Sequence, residues 1–364
     1  MYDLTVIGGG PAGTSAAITA ARTGARVLLL ERGRFPRHRV CGEFVSSEAL
    51  SLLGELLDPS GVAVLGDALR ISRTRLFLDG RILQASVEPA AASITRFDLD
   101  RALWNSAERM GVDAGQQVTA QKIARSSGFL VSTSAGEFEA RAVVNASGRW
   151  SNLSASAPAN GDARSKWIGL KAHFAESSPS TTVDLYFFEG GYCGVQPLSE
   201  GADRAPGRVN VCAMVRADIA CKLPDVFELH PALRERATQW QPLMDPISAA
   251  PLLFRQPRAV QDGILLAGDA AGFVDPFVGD GISLALRSGA LAGQCLEPFF
   301  RGGVSLEQAL RRYGEEYQGQ LAGVFRSSSK IRRMLQWPPI VRRPIVSLLS
   351  NSPAAVGYLV RNTR

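Results

Sequence analysis

Cysteine and histidine are scarce in this chain. Its five cysteines, Cys41, Cys193, Cys212, Cys221 and Cys295, are scattered, odd in number and form no CxxC pair. That pattern argues against a disulfide framework and against a zinc or iron–sulfur centre, and it fits reduced thiols in a cytosol. The three histidines, His38, His173 and His230, lie far apart in sequence, which argues against a metal set; His230, just before Pro231, reads as a surface-loop residue. No uninterrupted apolar run approaches the ~18 residues needed to span a bilayer. The chain enters a strand at Tyr2 without a basic n-region or an apolar h-region, so no secretory signal is expected and a cytoplasmic location is. Repeats and low-complexity tracts are missing. Acids are missing from the tail: residues 326–364 hold eight basic residues and no Asp or Glu. Removing those eight from a net charge of +6 leaves the preceding residues at −2, so the basic character belongs to the tail. No nucleic-acid-binding module accompanies it.

What the chain does have is glycine in a telling order. LTVIGGGPAG, residues 4–13, is a short apolar run followed by Gly8, Gly10 and Gly13 at GxGxxG spacing. Leu4 to Ile7 read as a buried strand, and the Ala-rich stretch Thr14 to Thr23 as a helix. Gly8 permits the tight turn out of the strand, Gly10 lets a pyrophosphate approach the backbone, and Gly13 lets the helix pack closely on the sheet. Pro11 suits the first helical turn, whose free N–H groups and positive dipole end attract phosphate. Gly24 stops the helix, Ala25 to Leu30 read as a second buried strand, and Glu31 closes it. An acid about 20 residues beyond the glycines can hold the ribose hydroxyls of a dinucleotide and disfavours the 2′-phosphate of NADP. NAD and FAD both remain open at this turn. An ordinary Gly-rich turn is the competing reading; strand, glycines, helix, strand and acid in register outweigh it.

The remaining pattern suggests two lobes sharing one cofactor, which 364 residues and 46% hydrophobic content can support. Phe35 to Val40 reads as a basic loop, Ser46 to Leu53 as a helix capped by Ser46 or Ser47, and Leu69 to Leu78 with Arg81 to Val87 as a hairpin turning at Asp79-Gly80. Asp98 is expected to cap an amphipathic helix with Leu99, Leu103 and Ala107 inward and Gly111 as its stop. Short strands follow at 117–125, 129–133 and 138–140, then a buried strand Ala142 to Ala146. Between Ser151 and about Pro257 the pattern becomes strands of an antiparallel sheet at 167–174, 182–188, 192–197 and 208–215, with Val226 to Trp240 as a helix. Ile264 to Ala267 resumes the cofactor lobe, and Ile282 to Cys295 reads as a helix.

GGGPAG with Glu31, ITRFDLDRAL, and LLAGDAAGFVDPFVGDGISLALRSG together resemble the two-domain FAD-dependent oxidoreductases of the p-hydroxybenzoate hydroxylase type. RVCGEFVS brings the chain nearest to the geranylgeranyl-reductase-like flavoproteins within that group. The resemblance, which runs to about Gly293, implies an α/β fold. It comprises a Rossmann-like FAD domain of the GR2 type (1–70, 95–150, 258–300), an inserted antiparallel-sheet substrate domain (70–95, 151–257) and a basic C-terminal helical cap (301–364). It implies that Gly8, Gly10, Pro11, Ala12 and Gly13 line the pyrophosphate and that Glu31, with Arg32 beside it, holds the adenosine ribose. Arg96 and Arg101 reach the FAD, and Val118 contacts adenine through its backbone. Cys41-Gly42 lie beside the flavin, Gly268-Asp269 hold the ribityl chain, and Pro276, Gly279, Gly281 and Ile282 bring backbone to the ring. Independently of the resemblance, the helix starting at Ile282 can aim its N–H groups at the negative N1–O2 edge of a reduced flavin.

The chain also departs from the family. Ser147-Gly148-Arg149-Trp150-Ser151 replaces an Asp-Gly pair followed by Ser and Arg, with Ser154 where the Arg would stand, which weighs against direct NAD(P)H binding. Tyr192-Cys193-Gly194-Val195-Gln196-Pro197 matches a tunnel-lining Tyr-x-Trp-x-Phe-Pro stretch with Gly194 for the Trp. The lysine and Trp-x-Trp-x-Ile of flavin halogenases are not seen. The candidate chemistry residues are Cys41, Glu43, Tyr192 and Phe277. Against them stand plainer readings: Cys41 as a small buried residue, Glu43 as a loop carboxylate paired with a nearby Arg, the two aromatics as core, and neighbouring His38 as an exposed loop residue. The tail reads first as helices covering the substrate cavity, second as a basic, apolar surface touching anionic membrane. The expected function is an FAD-dependent reductase or dehydrogenase acting on a hydrophobic small molecule, fed by NAD(P)H or a reduced carrier protein. The alternatives are a flavin monooxygenase hydroxylating an aromatic or polyketide-like substrate, and an FAD-binding protein without turnover.

Overall fold

Leu4, Thr5, Val6 and Ile7 are all buried, as a strand covered on both faces must be. In the computed structural model they form β1 (Tyr2–Ile7), which pairs in parallel with β2 (Val27–Glu31) on one side and with the strand Gly136–Asn145 on the other. The structure describes residues 1–125, 127–149, 153, 166–199, 207–254, 256–275, 277, 279–335 and 337–350. Among them, an eight-stranded sheet extends outward through Ile264–Leu266 beside Gly136–Asn145 and Asp113–Gln116 beside β2. The chain leaves β1 first toward one edge and later returns on the other side. The crevice beyond the carboxyl ends of β1 and Gly136–Asn145 is therefore the switch point where open α/β sheets bind ligands. The strands expected at 138–140 and 142–146 are one.

Gly8 adopts φ +106° there, and a Cβ at this residue would lie 2.3 Å from the Ala146 carbonyl oxygen. Only glycine lets the two strand ends meet so closely. Helix α1 (Pro11–Ala21) then lies against the long helix Gly281–Phe300. A Cβ on Gly289 would come within 2.0 Å of the Ala12 carbonyl oxygen, so here the two backbones themselves are in contact. Ser15 Oγ completes the seam by donating to the Leu286 carbonyl, 2.7 Å.

The second sheet has nine strands and is mixed rather than purely antiparallel: Leu69–Leu78 pairs in parallel with Val183–Phe188. The hairpin turn at Asp79-Gly80 has positive φ at both residues, the geometry of a tight β-turn. Phe44–Val45, expected in the cofactor lobe, pairs with the end of Arg81–Ser93 and so joins this sheet. The strands Trp167–Ala175, Gly191–Leu198 and Arg208–Arg216 alternate strictly. Leu170, Ala172, Cys193, Val195, Val209 and Val211 face one apolar core; the residues between them face the crevice. The helix expected over 226–240 is two short ones, Leu223–Phe227 and Pro231–Ala237, because Pro231 starts a new first turn behind His230. The helix expected to start at Asp98 starts at Arg96. Thr95 is its cap, accepting from the Asp98 N–H at 3.1 Å, while Asp98 sits one turn in. After Gly281–Phe300, helices Leu306–Gln320, Ala322–Leu335 and Pro339–Ser350 follow among the described residues.

Candidate active site

One cavity of about 610 Å³ runs from the β1–α1 turn, along the start of the Gly281 helix, and out over the second sheet. At its first end Gly8, Gly10, Pro11 and Ala12 line the wall. Gly13 does not; it lies behind them, tight against the Gly8 carbonyl. Glu31 is buried beside the turn. Its Oε2 accepts from the Gly9 N–H at 2.9 Å, and its Oε1 from the Gly33 N–H at 2.7 Å and Arg37 at 2.8 Å. Burial opposes ionisation, but Arg37 and the two amides outweigh it and hold the carboxyl at about 2. The Val118 N–H donates to the Glu31 carbonyl at 2.9 Å, which brings Val118 to the same wall, and Arg32 lines it too.

Arg96 reaches this turn from the helix behind it. Its guanidinium is clamped by Asp100 through two 2.7 Å bonds, and Nη2 stops 3.7 Å from where a Cβ on Gly10 would stand. Arg39 is a half-buried cation on the cavity wall with no carboxylate partner among the described residues. Burial and the neighbouring Arg37 push it down to about 10. Helix α1 opens into this space from Gly10, and the Gly281 helix opens farther along; neither is capped by its N-cap side chain. Free amides, a backbone no side chain could replace and an unpaired arginine are the donor set an FAD pyrophosphate needs, so the residues present fit that cofactor. Arg101 is exposed, pairs with Asp98 at 3.1 Å and does not line the cavity. Five residues along a helix turn a side chain by roughly 140°, so it cannot share the direction of Arg96.

Farther along, Gly268–Ala270 forms one 3₁₀ turn, held by the Gly268 N–H donating to Ser288 Oγ at 2.9 Å. It turns Asp269 into the cavity, 3.4 Å from Arg149 Nε, and the Arg149 guanidinium lies 4.4 Å over the Phe273 ring. Burial raises the Asp269 carboxyl, with Arg149 and Arg96 opposing. Gly268, Gly279, Gly281 and Ile282 line the same stretch. Pro276, Trp150, Ser151 and Ser154 lie outside the described residues.

Cys41, Gly42 and Glu43 form the opposite wall. Glu43 is not a loop carboxylate beside an arginine side chain. It is fully buried at φ +60° and is held from the second sheet. Oε1 accepts from Lys171 Nζ and from the Arg96 N–H at 2.8 Å; Oε2 meets His173 Nε2 at 2.9 Å. Gln196 donates to the Glu43 carbonyl at 2.9 Å, and Asn210 to the Cys41 carbonyl at 3.0 Å. Burial disfavours the charge, yet Lys171 and His173 hold Glu43 at about 2, so it stays ionised with its oxygens occupied and is no general acid. The Glu43 N–H donates to Cys41 Sγ at 3.3 Å.

His38, expected on an exposed loop, lines the cavity. It stacks on Phe97 at 5.0 Å and meets His173 edge-on at 5.1 Å, while burial, Lys171 and His173 keep its pKa down. Sequence distance had separated His38 from His173. The nitrogens of both and a Glu43 oxygen fall within 4.8 Å of one another. The Lys171 ammonium already shares that carboxylate, so the cluster is an ion pair rather than a cation site. The one signal for it in the sequence is a polar residue every second position inside apolar strands: Lys171 and His173 in GLKAHFA, Asn210 in RVNVCAMV, Gln196 in CGVQP.

Past Cys41 the cavity turns apolar. Tyr192, Phe187 and Phe277 meet at centroid distances of 5.8–6.4 Å. Leu76, Leu78, Leu83, Val183 and Leu185 continue the wall, and Ile331, Met334, Leu335 and Val346 of the last two helices close it. Arg342 clamps that cover to the hairpin through two 2.7 Å bonds to Asp79. The end of the basic tail, residues 351–364, lies outside the described residues.

The profile of the FAD dependent oxidoreductase family matches residues 3–42. Digeranylgeranylglycerophospholipid reductase 1 of Methanothermobacter thermautotrophicus is 30% identical over 309 residues, covering 80% of this chain and 76% of that protein. Among solved structures, a geranylgeranyl bacteriochlorophyll reductase-like protein of Thermoplasma acidophilum superposes with a TM-score of 0.78 at 20% identity, covering all of this chain and 95% of the other. A flavin-dependent brominase superposes at 0.79 with 21% identity, covering all of this chain and 93% of the other. At these identities the two structures speak for the fold alone.

Proposed function

The chain belongs to the geranylgeranyl-reductase group of FAD-dependent oxidoreductases, and on that premise we propose that it saturates carbon–carbon double bonds in a long isoprenoid chain of a lipid. The observation that carries this reading is the shape of the cavity: a polar half fitting FAD continues without a break into an apolar limb lined by leucines, valines and aromatics. A flexible hydrocarbon fills such a limb; a compact polar substrate would leave it empty.

FAD held along the polar half by the α1 turn and the Gly281 helix would, once reduced, supply the hydride for such a double bond, with a proton needed for the second carbon. The chain's own residues do the rest. The amides of α1 and of the Gly281 helix, with Arg96 and Arg39, neutralise the pyrophosphate and the charged flavin edge. Leu185, Phe187 and Phe277 orient the hydrocarbon and exclude water. Cys41 and Tyr192 line the wall where the polar half gives way to the apolar limb and are the candidate proton carriers, because Glu43 is held ionised. Burial raises Tyr192 well above its ordinary pKa, so it remains a neutral O–H donor. Electrons arrive from NAD(P)H or a reduced carrier protein, and the lipid arrives from a membrane.

The test is anaerobic incubation of the dithionite-reduced protein with a geranylgeranyl-bearing glycerophospholipid, followed by mass spectrometry. A gain of two hydrogens per double bond supports the reading. An unchanged lipid, with an aromatic substrate gaining oxygen in air instead, overturns it in favour of a monooxygenase.

A further inference from the structure

We infer that the segment from Trp337 to Val341, which leads into the first turn of the last described helix, rests on an anionic lipid bilayer and that the hydrocarbon enters the cavity beside it. The inference rests on the lipid-substrate reading above and names the surface that would serve it. Trp337 is 44% exposed, Ile340 83% and Val341 49%, three of the seven large hydrophobic residues left exposed among the described residues. They lie between Leu335 and Val346, which face inward and line the apolar limb. The outer side of this cover is thus apolar at the one place where its inner side closes the cavity. Ile82, 52% exposed, stands on the hairpin that Arg342 clamps to the same helix.

Charge points to the partner. Arg326, Lys330, Arg333 and Arg343 are exposed on these two helices, and no Asp or Glu occurs after Glu316 in the sequence. The two arginines with partners, Arg332 on Asp275 and Arg342 on Asp79, are committed to the body of the protein. An exposed Trp with aliphatic neighbours, beside helices that carry exposed cations and no acids, matches an interface where acyl chains meet anionic headgroups. No described helix is long and apolar enough to cross the bilayer, so the contact is peripheral.

The experiment is flotation of the FAD-bound full chain with phosphatidylglycerol vesicles, and with phosphatidylcholine vesicles in parallel. The comparison variant is Trp337→Asp/Ile340→Asp, both at exposed positions whose change leaves the core intact. The wild type should float with the anionic vesicles, and the variant should bind them about tenfold or more weakly. High salt should weaken the wild type as well. Equal binding by wild type and variant, binding to neither vesicle, or a concentration-dependent dimer broken by the variant without vesicle binding would each overturn the inference.

A second arm separates this inference from the reaction. The variant should reduce detergent-dispersed lipid at the wild-type rate and lose only the vesicle-embedded substrate. Flotation without reduction of either form leaves the docking surface standing and removes the reductase reading; reduction of dispersed lipid without flotation does the reverse.

Discussion

Replacing Glu43 with glutamine tests the ion cluster that binds the flavin-side turn to the second sheet. The substitution keeps volume and one acceptor but removes the charge, stranding the Lys171 ammonium in the core. Both side chains are fully buried. Breaking a buried pair by removing one partner costs about 3–5 kcal/mol. The pKa leads to a similar figure: depression from 4.5 to about 2, at about 1.4 kcal/mol per unit, corresponds to roughly 3 kcal/mol. Because the folded value is depressed, this contribution is full above pH 4.5 and is lost as pH falls toward about 2.

Urea unfolding of the FAD-loaded proteins should therefore show a deficit of about 3 kcal/mol for Glu43→Gln near neutral pH, narrowing in acid as the wild-type carboxyl also becomes neutral. Adding Lys171→Met should recover more than half of it, since a neutral pair no longer buries an uncompensated charge. A single variant within about 0.5 kcal/mol of wild type, or a gap that does not narrow in acid, would refute the reasoning.

Gly8→Ala should purify without flavin, because the new methyl meets the Ala146 carbonyl at 2.3 Å and φ +106° is strained for any L residue; a yellow, stoichiometric protein counts against the pyrophosphate role. Leu78→Trp, in the middle of the apolar limb, should raise KM for a long isoprenoid about tenfold while sparing a short-chain analogue; equal effects on both would mean that the limb does not hold the chain. Asp275 is buried, and burial raises its pKa to about 7 despite Arg332 at 3.2 Å and the Phe277 amide, which both favour the charged form. A raised carboxyl gives its full stability below pH 3.8 and loses it as pH climbs through about 7. Asp275→Asn should then be more stable than wild type at alkaline pH, by about 4 kcal/mol, and equal to it in acid. Thermal melts at the two pH values decide.

The two halves of the site were not equally legible. The nucleotide end acts through backbone: Gly8, Gly10 and the amides of α1 lie within a few residues of one another, and Glu31 follows across a single strand–helix–strand unit. Local spacing is enough to read such a site. The Glu43 cluster depends on which face of a distant strand a side chain occupies. Lys171 and His173 are more than 120 residues from Glu43, and their alternation with apolar residues marks a strand face without saying what that face meets. Arg101 lies off the cavity for a related reason, since a motif names the residues of a helix without saying which way each one points. Pro231 was legible as a helix start; reading through it merged two helices into one.

The cavity-facing rows of the second sheet explain why the cofactor was easier to read than the reaction. His173, Asn210 and Gln196 lie side by side at one end and anchor the Cys41–Glu43 turn; Gly194 and Cys212 pair in the middle; Tyr192 and Met214 follow at the apolar end. A large residue at Gly194 would press on Leu185, whose Cδ2 lies 3.2 Å from the Cβ position. Where the resemblance expects a tryptophan, Leu185 of the paired strand thus stands against the Gly194 position. The flavin end rests on glycine, open helix ends and an arginine, none of which belongs to the apolar limb, so the same cofactor cradle can face differently shaped limbs without changing a residue of its own.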